Sequence, residues 1–214
     1  RSGKLSHSSV PGWPVDVTKV TSGTQKFNAP AQNQRGALAL VGSTLYVPYG
    51  GHNGDCGDYR GWIVAIDTKA PTNVGAWATS GVGEAIWAAG GLASDGNGVF
   101  AVTGNNLQNV AVHADSEEVV RITGMATLTR NDANVYYPAR WRAIDTADSD
   151  FGSNNALLIR VPGAVPSSLV VATAKDGHMY FLDSQKLGGM DGHLVDHVIA
   201  SATRAVRGAP TSYT

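Results

Sequence analysis

Apolar residues along this chain gather in short runs, each bounded by Gly, Asn, Asp or Pro. A repeat of about 3.6 residues, the mark of an amphipathic helix, is almost absent. The runs read as strands and fall into three sets of four. The first set is Ala37–Val41, Thr44–Tyr49, Gly61–Asp67 and Ala76–Thr79. The second is Gly91–Ser94, Val99–Thr103, Glu118–Thr123 and Thr127–Thr129. The third is Ala156–Arg160, Ser168–Ala174, His178–Asp183 and Val195–Ala200. The sets recur about every 50–60 residues, as expected of a repeated four-stranded unit.

The turns agree with this division. Val41-Gly42-Ser43-Thr44 and Ser94-Asp95-Gly96-Asn97-Gly98 join the first two strands of their sets, and Lys175-Asp176-Gly177-His178 joins a middle pair. Glycine after Asp, Val or Asn supplies the positive φ that tight hairpins need. Repetition at this period predicts an all-β protein, a β-propeller of four-stranded antiparallel blades. About seven or eight blades are expected when it is complete, with this chain supplying three full ones. Residues 1–31 read as the end of a preceding blade, with Gly12–Val17 as its last strand. Residues 32–82, 83–135 and 136–207 read as the blades, and 208–214 as the start of a following one. Three blades leave open sheet faces. Another chain or a missing segment is therefore expected to complete the propeller. A β-sandwich is the alternative architecture.

Composition narrows the function classes. Lys plus Arg total 16 and Asp plus Glu 17, a net charge of −1, so no electrostatic footprint for nucleic acid or an anionic membrane is present. Hydrophobic residues at 43% argue against disorder. Cys56 is the only cysteine, which rules out an internal disulfide. No apolar run reaches the roughly 18 residues of a membrane span. The chain opens on Arg1 without a signal peptide, and reads as a mature, processed or truncated product.

Four segments carry candidate chemistry. They are Gly57-Asp58-Tyr59-Arg60-Gly61-Trp62-Ile63-Val64-Ala65-Ile66-Asp67-Thr68 with Trp77 following; Val102-Thr103-Gly104-Asn105-Asn106; Asp145-Thr146-Ala147-Asp148-Ser149-Asp150-Phe151-Gly152; and Ala174-Lys175-Asp176-Gly177-His178-Met179-Tyr180-Phe181-Leu182-Asp183. In this order they resemble the repeats of quinoprotein propellers, including the PQQ-dependent alcohol dehydrogenases, over Gln34 to about Leu187. The resemblance implies bound PQQ and Ca2+ and a periplasmic or secreted location. It implies Asn105 as a metal ligand, Asp148 as catalytic base with Asp150 beside it, and Lys175 as a quinone contact. Arg60 and Trp87 are the further cofactor contacts, Trp87 as the stacking ring. Asp55 and Asp58 stand where the family has a calcium-binding glutamate. The family's tryptophan next to the base is Ala147 here, and its vicinal disulfide has no counterpart.

PQQ is a flat tricarboxylate, so its site needs an aromatic platform, cations and a hard metal ion with about six to eight oxygen ligands. A carboxylate must also reach the substrate hydroxyl. The loop Gly50–Tyr59 adds His52 and Cys56 to two aspartates, ligand types that suit a softer metal, though without a standard zinc spacing. The plainer reading of that loop is a glycine-rich turn around a buried cysteine. Trp13, Trp62, Trp77 and Trp141 read as blade-packing residues. Alternating aspartates at 145–150 also suit a turn or a structural calcium. Two functions follow: a PQQ/Ca-dependent dehydrogenase acting on an alcohol or sugar, or a non-catalytic propeller scaffold binding protein or carbohydrate.

Overall fold

A computed structural model describes residues 11–108, 111–199 and 206–212. A small hairpin, β1 (Thr21–Ser22) and β2 (Gln25–Lys26), comes first. The first sheet contains β3 (Gln32–Asn33), β4 (Ala39–Val41), β5 (Thr44–Gly51), β6 (Trp62–Asp67) and β7 (Val74–Ala78), with β4-β5-β6-β7 as an antiparallel meander. The second runs β8 (Ala93–Ser94), β9 (Gly98–Val102), β10 (Val119–Thr123) and β11 (Thr129–Tyr137). A short helix, α1 (Trp141–Thr146), leads to the third, which holds β12 (Leu157–Arg160), β13 (Ser168–Thr173), β14 (His178–Asp183) and β16 (Val195–Val198). Between β14 and β16, β15 (Gly189–Met190) leaves this sheet and pairs parallel with β11 of the second.

These elements form where the period-two pattern and the turns place them. Gly42, Gly96 and Gly177, one in each hairpin, hold φ of 60°, 88° and 88°. The first strands β4, β8 and β12 touch in succession, so the sheets radiate from a common line. That is the blade arrangement of a propeller. Strand alternation then supplies both faces of each sheet. Ile63 and Ala65 of β6 meet Val99 and Ala101 of β9, with Trp77, Val120 and Ile122 in the same cluster. Phe100 and Val102, on the other face of β9, meet Val170, Ala172, Tyr180 and Leu182 of the third sheet. Central strands buried on both faces read as continuous apolar runs, and Trp62–Ala65 and Val99–Ala101 are fully buried.

Three expectations change. Gly12–Val17 is not a strand. Trp13, Val15 and Val17, with the 3₁₀ turn Val17–Lys19 and Val20, pack over Val47, Val64 and Ile66 on the outer face of the first blade. Asp16 caps that turn, its Oδ1 accepting from Thr18 N at 3.0 Å. Second, β11 runs eight residues past the expected stop at Thr129, because Val135 and Tyr136 fill the two inter-blade clusters. Third, residues 141–146 are helical. Residues 1–10 and 213–214 of the expected flanking blades, and Ala200 of the last expected strand, lie outside the described residues. Among the described residues no helix is long and apolar enough to cross a membrane.

Candidate active site

In the antiparallel meanders, the β5–β6, β7–β8, β9–β10, α1–β12 and β13–β14 connections all emerge at one end of the blades. They enclose a cavity of ≈ 380 Å³ there. It is lined by His52, Asp55, Trp87, Asn105, Asp148, Asp150 and Lys175, so seven of the nine residues singled out from the sequence converge. Arg35, Tyr59 and Leu107 join them.

Lys175 organises the third blade's side. It sits in the β13–β14 turn, with Nζ 2.7 Å from Asp150 and 3.2 Å from Asp148. Asp148 holds φ 50°, which aims its backbone carbonyl and its carboxylate at the same ammonium. Burial works against the charge on Lys175, but the ion pairs with Asp150 and Asp148 outweigh it and hold the pKa above its ordinary value. Burial pushes the Asp150 carboxyl up, against the pull of Lys175. The Asp150 side chain is 8% exposed and that of Asp148 80%, so only Asp148 is open to a ligand.

Trp87 forms the cavity's flat surface. The Arg35 guanidinium carbon lies 5.2 Å and Lys175 Nζ 5.7 Å from the ring centroid, both within cation–π range. A Cβ at Gly104 would stand 3.2 Å from Trp87 Nε1, a tight contact that a larger residue could relieve only by shifting the ring. Tyr59, clustered with Ala31 and Ala85 against which Trp87 packs, donates to Asp55 Oδ1 at 2.5 Å. Burial first, then Asp55, pushes its phenol far up, which makes it a donor and not a base. Gly51 lies flat against the Tyr59 ring, where any side chain would collide.

Beneath the floor lies a layer of buried acids. Glu84 accepts from Gly81 N at 2.6 Å, Asn106 Nδ2 at 2.8 Å and Asp115 N at 3.2 Å. Burial, with Asp115 nearby, raises its pKa to about 7. Glu117 accepts from Phe151 N at 2.5 Å, and its other oxygen has no partner. Asn105 donates to the Asp145 carbonyl at 3.0 Å, which leaves its buried Oδ1 as an unused acceptor.

Two sequence-derived site residues lie elsewhere. Arg60 follows Tyr59 in an extended segment, where successive side chains point opposite ways. It bonds the carbonyls of Thr79 and Ser80, away from the cavity. Asp58 is exposed outside it and offers only its carbonyl, to Asn28. Cys56 is exposed, not buried. Among the described residues no three His, Cys, Asp or Glu side chains group as a metal site. The set His52, Asp55, Asp58 and Asn105 is thus not drawn together as a ligand sphere, since Asp58 lies outside and Asp55 is engaged by Tyr59. Arg35 and Tyr59 were missed. Tyr59 lies inside the Gly57–Thr68 segment, while Arg35 lies 52 residues from Trp87 in sequence with no motif to connect them.

No protein-family model matches the chain, and no curated protein does. Among solved structures the chain is similar to a quinohemoprotein alcohol dehydrogenase from Pseudomonas putida HK5. The TM-score is 0.53 at 15% identity, over 77% of this chain and 27% of that one. The fold is quinoprotein-like. The chain spans about a quarter of the length of that enzyme. The quinoprotein-like blades explain why the cavity draws on every sheet, since loops at one end of radiating blades face a shared centre.

Proposed function

We propose that the cavity binds a planar, anionic redox cofactor of the PQQ type, and that the chain forms part of a dehydrogenase oxidising an alcohol or sugar. The observation that carries this is Trp87, flanked by Arg35 and Lys175, in one cavity with the exposed carboxylate of Asp148. Trp87 offers the stacking surface. Among the described residues Arg35 has no carboxylate partner, so it is the cation available to an anionic edge. Lys175, fixed by two aspartates, presents a donor of constant position. The quinone, when bound, supplies the two-electron acceptor. Asp148, solvent-facing and 3.2 Å from Lys175 Nζ, takes the substrate hydroxyl proton on its carboxylate. Asp150 holds Lys175 in place. The fit to calcium is poor: Asn105 Oδ1 is one unused oxygen, Asp150 and Asp148 are engaged by Lys175 and Asp55 by Tyr59, and among the described residues no three His, Cys, Asp or Glu side chains group as a metal site. No step is derived through a metal. A periplasmic or secreted location accompanies this reading.

One observation favours a second reading. Lys175 is already paired with Asp148 and Asp150, and these groups beside Trp87 suit stacking and hydrogen-bonding a neutral sugar in a non-catalytic scaffold. Calorimetric titration of PQQ, with and without calcium, separates the two. The dehydrogenase reading expects PQQ binding that weakens at least tenfold in Trp87→Ala, and dye-linked alcohol oxidation that is lost in Asp148→Asn. Absence of PQQ binding under both conditions would overturn it.

A further inference from the structure

Asparagine followed by glycine occurs twice in the chain, at Asn53-Gly54 and Asn97-Gly98. This dipeptide is self-reactive. The main-chain nitrogen of the second residue attacks the side-chain carbonyl of the first, and glycine leaves that approach clear because it has no Cβ. The fold treats the two copies differently. Gly98 opens β9, is buried, and pairs with Thr123 of β10. Its N–H donates to Asp95 Oδ1 at 3.0 Å, and its carbonyl accepts from Ser94 Oγ at 2.7 Å. A Cβ there would stand 2.6 Å from the Ile122 carbonyl oxygen, so neighbouring backbone hems it in. The Gly98 nitrogen is both occupied and fixed. Asn53 and Gly54 instead form the centre of an exposed turn between β5 and β6, in which Asp55 N donates to the His52 carbonyl at 3.2 Å. Among the described residues the Gly54 nitrogen has no acceptor and the Asn53 side-chain amide no hydrogen-bond partner. Gly54 holds φ 90°, and only Cys56 Sγ, at 4.0 Å, lies near where its Cβ would be. Both reacting groups stand free in open space.

We propose that Asn53 is a site of spontaneous deamidation, and that the β9–β10 ladder protects Asn97 from the same reaction. The Gly54 nitrogen, having given up its proton, attacks Asn53 Cγ. The new N–C bond closes a five-membered succinimide, and the side-chain nitrogen leaves as ammonia, taking up a proton. Solvent water then opens the ring at either carbonyl. One opening leaves an aspartyl residue at position 53. The other leaves an isoaspartyl linkage, with the main chain routed through the side-chain carbon. No electrons change hands, and water is the only co-reactant. Asn53 lines the cavity together with Asp55, Asp148 and Asp150, so either product adds a carboxylate to those three. The isoaspartyl form also lengthens the turn that brings Asp55 to Tyr59. The cavity of an aged molecule therefore repels anions more than that of a fresh one. The inference is independent of what the cavity binds.

The test stores the intact folded protein at mildly alkaline pH beside a sample unfolded in urea, and maps peptides by mass spectrometry over time. In the folded sample position 53 is expected to convert from amide to acid. Asn97 should convert about tenfold more slowly or less, because Gly98 must first leave the ladder. In urea the two sites should react at similar rates. Equal rates in the folded sample, faster reaction at Asn97, or no conversion at Asn53 overturns the proposal. So does a tenfold ratio that persists in urea, which places its cause in the flanking sequence and not in the fold. Asn53→Asp supplies a charge standard, and an aged fraction that fails to co-elute with it on ion exchange counts equally against the proposal.

Discussion

Lys175 holds two carboxylates at once, and among the described residues Asp150 has no other cation. Lys175→Met leaves the Asp150 carboxylate, 8% exposed, without its partner. Loss of one member of such a pair, tempered here by the open cavity, is expected to cost about 1–3 kcal/mol, read as a lower urea midpoint with unchanged slope. Glu84 gives a pH signature. Its folded pKa of about 7 lies above its ordinary 4.5, so the folded state holds the proton more tightly. Its contribution to stability is complete below pH 4.5 and is lost as pH rises through about 7. Glu117 and Glu118, raised first by burial, act in the same sense. His113, pushed down to about 4 by burial, acts in the opposite sense below its ordinary 6.5. The melting temperature should fall from pH 5 to 7, and the difference between wild type and Glu84→Gln isolates the Glu84 share. A slope unchanged in that variant would remove Glu84 from the account. Residue by residue, the site was legible where chemistry came in compact motifs, at Asn105, Asp148, Asp150 and Lys175. It was not legible at Arg35, whose place beside Trp87 exists only after folding. Arg60 misled because its neighbour Tyr59 takes the inward direction.

At the scale of elements, apolar runs with glycine turns marked eleven of the twelve blade strands and only the first residue of β11, since a two-residue alternation between turns leaves few other solutions. The helix α1 escaped because six residues, with Trp141, Ile144 and Asp145 as its buried positions, are too few to show a period. The strand β15 escaped because two residues carry no alternation, and its partner lies in another sheet. Blade spacing also depends on single positions. Gly75 of β7 passes so close to the Met125 carbonyl of the β10–β11 turn that an added Cβ would overlap it. Gly75→Ala is expected to lower stability by about 1–3 kcal/mol. Gly163→Ala, with open space around it but φ 84°, should cost about 1 kcal/mol through the backbone alone. Equal thermal shifts for the two variants would show that the close approach is not felt.

For the whole molecule, the cavity is a shared structure. Arg35 and Trp87 come from segments bordering the first blade, Asn105 from the second, and Asp148 and Lys175 from the third. A ligand seated there ties the blades together and should stabilise them jointly. At a hundredfold excess over Kd the gain is about 2.7 kcal/mol, seen as one cooperative shift of the thermal transition with PQQ. Trp87→Ala, at the same ligand concentration, should cut that shift to about half or less. A gain confined to an early sub-transition would mean the ligand engages one blade only.

The strap β15 has a consequence in time. It supplies the outer neighbour of β11, yet it follows Tyr137 by 52 residues (189 − 137). At ribosomal speeds of about 5–20 residues per second, Gly189 is made roughly 3–10 s after the strand it protects. Through that interval the rim of the second blade offers bare backbone donors and acceptors to any other nascent chain. Asp132, 90% exposed on that strand beside Arg130, puts charge along the waiting edge.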